Sequence, residues 1–352
     1  MMRQPMLQAN LFAFGRMAWN PTAGAGTITE AWARQTWGDD ARVFGVAMGV
    51  LLASEDAYRK NSSPLGMVSL AGAAGGPDPA RAVAVEAADV ADKNGVGVDR
   101  TARGTNEVNR FPAAFAAELS DESKVPEEWL LAVHRVPLTH AMRDGKTVVQ
   151  HFYDAHYTGG TAGANAVDAW EGTKPLVDAE RYAAVRTLLE SSERRAEIWR
   201  DATTEWMERV TGVPDAQGFA GKHSGRMEAE AMTLQGFVAR RVGFDDASDG
   251  ALAACAVKEC KATGVFRGEE NVYRIEVGYF DGAVGALTLR VNGAVKAQWP
   301  VVAIAGAMPS GPTAERFVEN GVRLKTGDRV EVSGSDGAAL DFVEITRDPR
   351  WN

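Results

Sequence analysis

The residue types best suited to metal binding or nucleophilic catalysis are few in this 352-residue chain. Its two cysteines, Cys255 and Cys260, lie close together in "AACAVKECKA", and two cysteines alone cannot complete a tetrahedral zinc site. Their spacing leaves two interpretations open. They are either buried free thiols or a disulfide that closes a short loop, which would indicate an oxidising compartment.

The five histidines show no metal-binding or catalytic motif. None forms H-E-x-x-H, and none has a cysteine or carboxylate neighbour at ligand spacing. The sequence has no G-x-S-x-G nucleophile elbow, and the glycine-rich "GVGVDRTARG" lacks both a preceding strand and a phosphate-loop pattern. We therefore interpret all five as structural or surface residues: they are His134, His140, His151, His156 and His223.

Charge and hydropathy exclude two classes of partner. A net charge of -9 argues against a nucleic-acid binder, which would carry a basic face. No stretch approaches the roughly 20 apolar residues of a membrane span, and the first residues lack the apolar core of a signal peptide. The sequon Asn61-Ser62-Ser63 makes Asn61 a candidate N-glycosylation site, although Pro64 follows it.

Hydrophobic residues recur at helical spacing up to about residue 212. Thr27 and Glu30 form a capping-box pattern that predicts a helix from Thr27, and a second helix is expected over 39–60. Asp178 is the predicted N-cap of a long helix that ends at Gly212. Between these helices, residues 70–106 are rich in glycine, alanine and aspartate, and we expect loops with one helix.

The hydrophobic period changes to two after residue 224, which predicts strands. "VYRIEVGYF" alternates cleanly, and Asn292-Gly293 in "ALTLRVNGAVKAQW" is a strong hairpin signal. Trp299 continues the alternation of its strand and is expected in the core. Several short strands without helices between them predict a β-sandwich or jelly roll.

Seven ordered segments carry a resemblance over residues 7–214. They are "QANLFAFGRMAWNP", "ITEAWARQTWG", "SPLGM", "GVGVDRTARGTNEV", "PEEWLLAVHRVP", "MRDGKT" and "LVDAERYAAVRTLLESSERRAEIWRDA". Together they resemble the C-terminal region of the glycoside hydrolase family 67 α-glucuronidases. The resemblance implies a multidomain α plus β chain. Its parts are 1–25, a remnant of the last helix of a (β/α)8 barrel; 26–212, a helical domain; 213–224, a linker; and 225–352, a β-sandwich.

The resemblance also implies a function. These enzymes remove glucuronic acid or its 4-O-methyl ether from xylo-oligosaccharides with inversion, so xylo-oligosaccharide or glucuronoxylan is the expected partner. The catalytic acid and base would precede this sequence on the barrel, so no catalytic residue is assigned here, and the chain alone is expected to be inactive. Asp99 and Glu107, in a matching segment, are expected to have supporting roles. Secretion and a homodimer through the helical domain are further expectations.

The matched region departs from the family pattern in one loop. Where relatives carry histidine-rich and aromatic stretches, this chain has "VSLAGAAGGPDPARAV" and "VEAADVADKNG". Loss of a stacking surface there would lower activity even in a longer protein. Two alternatives to an enzyme portion therefore remain: a non-catalytic carbohydrate-binding or scaffold protein, or a degenerate gene fragment.

The β region resembles the galactose-binding-like jelly rolls of carbohydrate-binding modules related to families 6 and 35. "RMEAEAMTLQGF" and "AALDFVEI" carry much of that resemblance, which implies a structural calcium held by Glu228, Glu230 and Asp341. Alternation would place both glutamates on one side of their strand; the alternative is two solvent-facing glutamates. Similar cysteines in fungal relatives imply a Cys255–Cys260 disulfide. No cofactor is expected for catalysis.

Overall fold

The structure is a computed structural model that describes residues 4–66, 91–92, 94–242, 247–281, 285–301 and 313–348. The chain divides into two compact units, of which the first comprises residues 1–68 and 99–200 and the second comprises residues 69–98 and 201–352. The first departing loop segment, 68–83, and residues 85–90 and 93 of the second segment, 85–95, lie outside the described residues.

Two long helices predicted from the sequence, over 39–60 and from Asp178 to Gly212, are present close to their predicted bounds. Asp178 accepts a hydrogen bond from the backbone N–H of Arg181 at 3.0 Å, as expected of an N-cap. The helix predicted from Thr27 begins two residues earlier, because Gly24 occupies the N-cap position. The helices are α1 (Pro5–Trp19), α2 (Ala25–Trp37), α3 (Ala41–Ser62), α4 (Ala113–Ser120), α5 (Leu130–Val133), α6 (Val148–Glu171) and α7 (Ala179–Thr211).

Helix α6 has no counterpart among the sequence predictions. Its centre, "TGGTAG", is poor in helix formers, and glycine disfavours helix by about 1 kcal/mol relative to alanine. Packing explains why the helix forms there. A Cβ atom at Gly159 would lie 2.2 Å from Oδ1 of Asn61 on α3, so the glycine permits a close approach of the two helices.

Aromatic side chains dominate the core of the first unit. The ring of Trp170 is fully buried and lies edge-on to Trp37 at 5.2 Å between centroids. Its Nε1 donates to the carbonyl of Tyr182, so the indole is both packed and hydrogen-bonded. These contacts join α2, α6 and α7 within that unit.

Two antiparallel sheets form the second unit. One has the strand order β3-β4-β11-β6-β9, with β1 also paired to β11, and the other has the order β2-β5-β10-β7-β8. The strands are β1 (Arg226–Glu228), β2 (Thr233–Gln235), β3 (Phe237–Arg241), β4 (Ala251–Cys255), β5 (Cys260–Val265), β6 (Asn271–Phe280), β7 (Gly285–Val291), β8 (Ala294–Val301), β9 (Ala314–Leu324), β10 (Arg329–Gly334) and β11 (Ala339–Arg347). This order confirms the predicted β-sandwich.

The core of the sandwich follows the predicted alternation. Ile275 and Val277 of β6 are fully buried, and Trp299 stacks on Phe317 with 3.9 Å between ring centroids. The expectation that Trp299 is a core residue is therefore confirmed. Asn292 and Gly293 both have positive φ, of 51° and 84°, which is the conformation of the two-residue hairpin turn that their sequence predicts.

Residues 213–224 differ from the predicted linker. The carboxylate of Asp215 accepts hydrogen bonds from the backbone N–H groups of Gly218, Phe219 and Ala220 at 2.5–2.7 Å. Asp215 and Ala220 are each 5% exposed. A single carboxylate thus organises a folded turn, and the boundary between the two units falls after Arg200, inside α7.

Candidate functional site

The structure joins Cys255 and Cys260 in a disulfide. Cys255 ends β4 and Cys260 begins β5, so the bridge closes the loop between two strands of opposite sheets. Both residues are buried. The spacing left free thiols and a disulfide open, and the structure contains the disulfide.

The position of Asn61 does not fit the predicted glycosylation. Asn61 lies in the last turn of α3, and its Oδ1 is buried without a hydrogen-bond partner among the described residues. Acceptor asparagines lie in surface loops. The amide here instead packs against Gly159.

Glu228 and Asp341, two of the three predicted calcium ligands, meet at Ser248. The hydroxyl of Ser248 donates to Oε1 of Glu228 at 2.9 Å, and its backbone N–H donates to Oδ1 of Asp341 at 2.9 Å. Burial raises the pKa of Asp341 well above its ordinary value, and the nearby charge of Glu228 raises it further. Burial also raises the pKa of Glu228.

Glu230, the third predicted ligand, lies on a different element from Glu228. The strand ends at Glu228, and Ala229–Ala231 form a 3-10 turn, so the predicted alternation along one strand does not hold. Burial raises the pKa of Glu230, and both of its carboxylate oxygens are buried without a partner among the described residues. Glu230 is close enough to raise the pKa of Glu228.

This carboxylate cluster, Glu228, Glu230 and Asp341, fits a hard cation in part. Buried carboxylate oxygens without hydrogen bonds, as on Glu228 and Glu230, are the ligands that calcium prefers. Over the described ranges, however, no three His, Cys, Asp or Glu side chains have the arrangement of a metal site. Backbone oxygens would have to complete the coordination shell.

A buried ion network that no sequence pattern predicts lies in the same unit. Arg316 of β9 donates from Nη2 to Asp201 Oδ2 and from Nη1 to Glu276 Oε1, both at 2.8 Å. Asp201 belongs to α7 and Glu276 to β6. The three side chains are at most 10% exposed. Losing one partner would leave a buried charge unpaired, which typically costs 3–5 kcal/mol.

Arg226 of β1 extends this network to β11. Its guanidinium donates to Glu344 Oε2 at 2.9 Å and to the Ser248 hydroxyl at 3.0 Å, and it lies 3.9 Å from the centroid of the Phe342 ring. The side chain is 3% exposed. Because Ser248 also contacts Glu228, the ion network and the carboxylate cluster share one hydroxyl.

His223 lies between two carboxylates of this network. Its Nε2 is 2.8 Å from Glu205 Oε1, and its Nδ1 is 3.2 Å from Glu344 Oε1. Burial alone would lower the pKa of His223, but the hydrogen bonds to the two glutamates outweigh it and raise the pKa to about 9. Burial would raise the pKa of Glu344, yet His223 and Arg226 lower it to about 2.

The other histidines occupy structural or surface positions, as predicted. His156 is fully buried beside Phe152 and Trp199, and burial lowers its pKa to about 3. His134 Nε2 lies 2.9 Å from the carbonyl of Leu119. His140 and His151 each contact one carboxylate near the surface, Glu122 and Asp144 respectively.

Asp99 and Glu107 have local structural contacts. Asp99 Oδ1 accepts hydrogen bonds from the N–H and the hydroxyl of Thr101 at 3.0 and 2.6 Å. Glu107 forms an ion pair with Arg100, whose Nε donates to the carbonyl of Ala132. Both carboxylates therefore stabilise their own segment, in agreement with the supporting roles expected for them.

We expect the His223 ion pairs to make stability depend on pH. The folded pKa, about 9, exceeds the ordinary value of about 6.5. The stabilisation is therefore complete below about pH 6.5 and is lost as the pH rises through 9. Between pH 7 and pH 9.5 the unfolding free energy should fall on the order of 2 kcal/mol more in the wild type than in His223→Gln.

Urea unfolding at the two pH values measures this difference. His140→Gln, which removes a more exposed histidine–glutamate pair, is the matched control and should keep the wild-type pH dependence. Identical pH dependence in the wild type and His223→Gln would contradict the assigned contacts.

More than half of the chain matches the model of a known protein family. Residues 2–220 match the family model described as "Glycosyl hydrolase family 67 C-terminus". The probable alpha-glucuronidase A of Aspergillus terreus is 35% identical over 358 residues, covering 95% of this chain and 42% of that protein. Alpha-glucuronidase A of Aspergillus tubingensis is 33% identical, covering 97% of this chain and 43% of that protein.

Two solved structures that match each cover about a third of this chain. A family 35 carbohydrate-binding module from Clostridium thermocellum covers 35% of this chain and 98% of its own, with 15% identity and a TM-score of 0.29. The C-terminal family 6 module of a Zobellia galactanivorans laminarinase matches with 15% identity and a TM-score of 0.28.

Two further facts concern the length of the matched relatives and the helices of this chain. The chain spans less than half the length of the curated relatives that it matches. Within the described residues, none of the helices is both long enough and apolar enough to span a membrane. By the match of its residues 2–220, the chain belongs to glycosyl hydrolase family 67, of which it carries the C-terminal region.

Proposed function

We propose that this chain is the C-terminal portion of a xylan-degrading α-glucuronidase. The reaction would be hydrolysis, with inversion, of α-1,2-linked glucuronic acid or its 4-O-methyl ether from xylo-oligosaccharides. The match of at least 95% of the chain to the Aspergillus α-glucuronidases carries this proposal. An inverting mechanism needs an acid and a base roughly 6.5–9.5 Å apart, and we assign both to a barrel domain outside these 352 residues.

The contacts of the carboxylates in this chain support that assignment. Asp99 and Glu107 are engaged in local turns and ion pairs. Asp341 is 4% exposed and so is inaccessible to a glycosidic oxygen. Glu276 and Glu344 pair with arginines. Each of these groups is therefore engaged in a structural contact rather than poised at an open cleft.

An exposed apolar surface on α1 supports a role as part of a larger catalytic protein. Leu11, Phe14 and Trp19 are 66%, 73% and 92% exposed, and Leu7 and Met17 are also exposed. Patches of this kind mark protein interfaces. We propose that this α1 surface packs against the catalytic barrel.

A chimera tests the proposed function. In alpha-glucuronidase A of Aspergillus tubingensis, this chain would replace the 43% of that protein that it matches. We expect the chimera to release glucuronic acid from aldouronic acids, and this chain alone to release none above the blank, because it lacks the acid and base. Phe14→Asp with Trp19→Asp should lower chimera activity at least tenfold, since buried charge disfavours docking.

Tyr58→Asp on α3 is the matched control, because Tyr58 is also an exposed aromatic residue, 69% exposed, outside the α1 surface. It should leave activity within about twofold, as expected of a surface substitution. Turnover by this chain alone would contradict the assignment of catalysis to the barrel. A folded chimera that releases no glucuronic acid would contradict the proposed function.

We further propose an extracellular location and a glucuronoxylan partner. The disulfide supports this, because such bonds persist in oxidising compartments. Self-association through the helical unit stays a prediction.

We also propose a structural calcium at the carboxylate cluster. Glu228, Glu230 and Asp341 would supply oxygens, and the raised pKa values of all three support a site where a cation replaces protons. The ion would tie β1 and its following turn to β11. It would take no part in hydrolysis.

Thermal unfolding with and without calcium tests this second proposal. After treatment with EDTA, added calcium should stabilise the wild type by about 2.7 kcal/mol at a hundredfold excess over Kd, which raises Tm by several degrees. Glu228→Gln with Asp341→Asn should abolish the shift, and the exposed Glu259→Gln should keep it. An unchanged wild-type Tm, or an equal shift in the double variant, would overturn the calcium proposal.

A further inference from the structure

An open cleft of about 1030 Å³ lies within the β-sandwich unit. It is formed by β1 and the turn after it, the ends of β5 and β11, and the start of β6. Its volume lies just above the range of about 300–1,000 Å³ that small-molecule sites span, and it is large enough for several sugar rings. No residue of the α1 surface is among its lining residues.

The cleft has an apolar floor that is held in place. Phe266 and Tyr273 pack edge-to-face with 4.8 Å between centroids, and the Tyr273 hydroxyl donates to the carbonyl of Glu269 at 2.7 Å. A Cβ atom at Gly264 would lie 2.5 Å from the sulfur of Met227, so the glycine lets the methionine lie flat on β5. The floor is therefore preformed.

The rim of the cleft is cationic although the chain as a whole carries a net charge of -9. Arg267 is exposed and has no ion pair among the described residues. Arg347 pairs with Glu269 at 2.9 Å, with exposed fractions of 55% and 84%, and exposed pairs of this kind contribute little. Both guanidinium groups are therefore available to an anion.

The remaining charged groups of the cleft do not cancel this surplus. Arg226 is committed to Glu344 and Ser248. Glu228 is the acidic residue of the lining, and its Oε1 accepts a hydrogen bond from the Ser248 hydroxyl at 2.9 Å. Hydroxyl groups complete the rim: they belong to Ser224, Thr233, Thr263 and Thr346.

We propose that this cleft binds an acidic saccharide, with its carboxylate on Arg267 and Arg347. Guanidinium groups match carboxylates through paired N–H donors, the rim hydroxyls suit sugar hydroxyls, and the apolar floor suits a pyranose face. Because the protein as a whole is acidic, it would repel a polyanion. A saccharide with one carboxylate among neutral sugars therefore fits the two arginines better than a polyanion does. The choice of a glucuronic acid side chain on xylo-oligosaccharide rests on the proposed function.

Calorimetric titration of the full chain tests this site. Aldotetraouronic acid should bind, and uncharged xylotetraose should bind at least tenfold more weakly. Arg267→Gln with Arg347→Gln should weaken the acidic ligand tenfold to a hundredfold and leave xylotetraose unchanged, because only the carboxylate contacts are removed. Thr346→Trp, which fills the rim, should weaken both ligands.

Arg240→Gln is the matched control, an exposed arginine on β3 of the same unit and outside the cleft lining. It should bind aldotetraouronic acid as the wild type does. Wild-type affinity in both the double arginine variant and Thr346→Trp would overturn the cleft as the site while leaving the proposed hydrolysis intact. Absence of binding by the folded wild type would also overturn it. Failure of the chimera alone, with binding as expected, would count against the hydrolase and not against the cleft.

Discussion

The second unit depends on the two ion pairs of the buried residue Arg316. Its guanidinium lies between Asp201 at the helix and Glu276 in the sheet, at 2.8 Å from each. Desolvating three charges is unfavourable unless all are paired in good geometry. The arrangement therefore penalises any state in which residues 201–211, the end of α7, separate from the sandwich, and it makes this end of the helix a structural part of the β unit.

The short strand β1 shows how this constraint extends to the sites. Arg226, Met227 and Glu228 are consecutive and pair with Glu344, Val343 and Phe342 of β11. Arg226 enters the ion network, Met227 forms the cleft floor, and Glu228 enters the carboxylate cluster. A three-residue strand has little stability of its own. Its position, and with it both proposed sites, depends on the Arg226 contacts.

Local features were predictable from the sequence because their causes lie within a few residues. The Asn292-Gly293 turn, the Asp178 cap and the alternation of β6 each follow from backbone preference or side-chain period. Glu228 and Asp341 were named through family resemblance, and the structure brings them together at Ser248. The disulfide pairing likewise came from the resemblance, since spacing alone left free thiols open.

Long-range features escaped prediction for a physical reason. Asp201 and Arg316 are 115 positions apart, and His223 and Glu344 are 121 apart, so no local pattern marks them. The glycines and polar residues of 213–224 predict a linker because nothing in the local sequence indicates that Asp215 accepts three backbone hydrogen bonds. Glu230 was misplaced because a 3-10 turn interrupts the strand after Glu228. Helix α6 forms because of its packing at Gly159, although the low helix propensity of glycine opposes a helix there.

Native-state hydrogen exchange on the full chain tests most directly whether residues 201–224 belong to the sandwich. Segments of one cooperative unit open with similar free energies. The amides of Trp206, Met207 and Ala220 should then have opening free energies within about 1 kcal/mol of those of Ile275 and Val277. Opening of the first group at several kcal/mol below the strand amides would contradict the account, because the ion network would then not couple the helix end to the sheet.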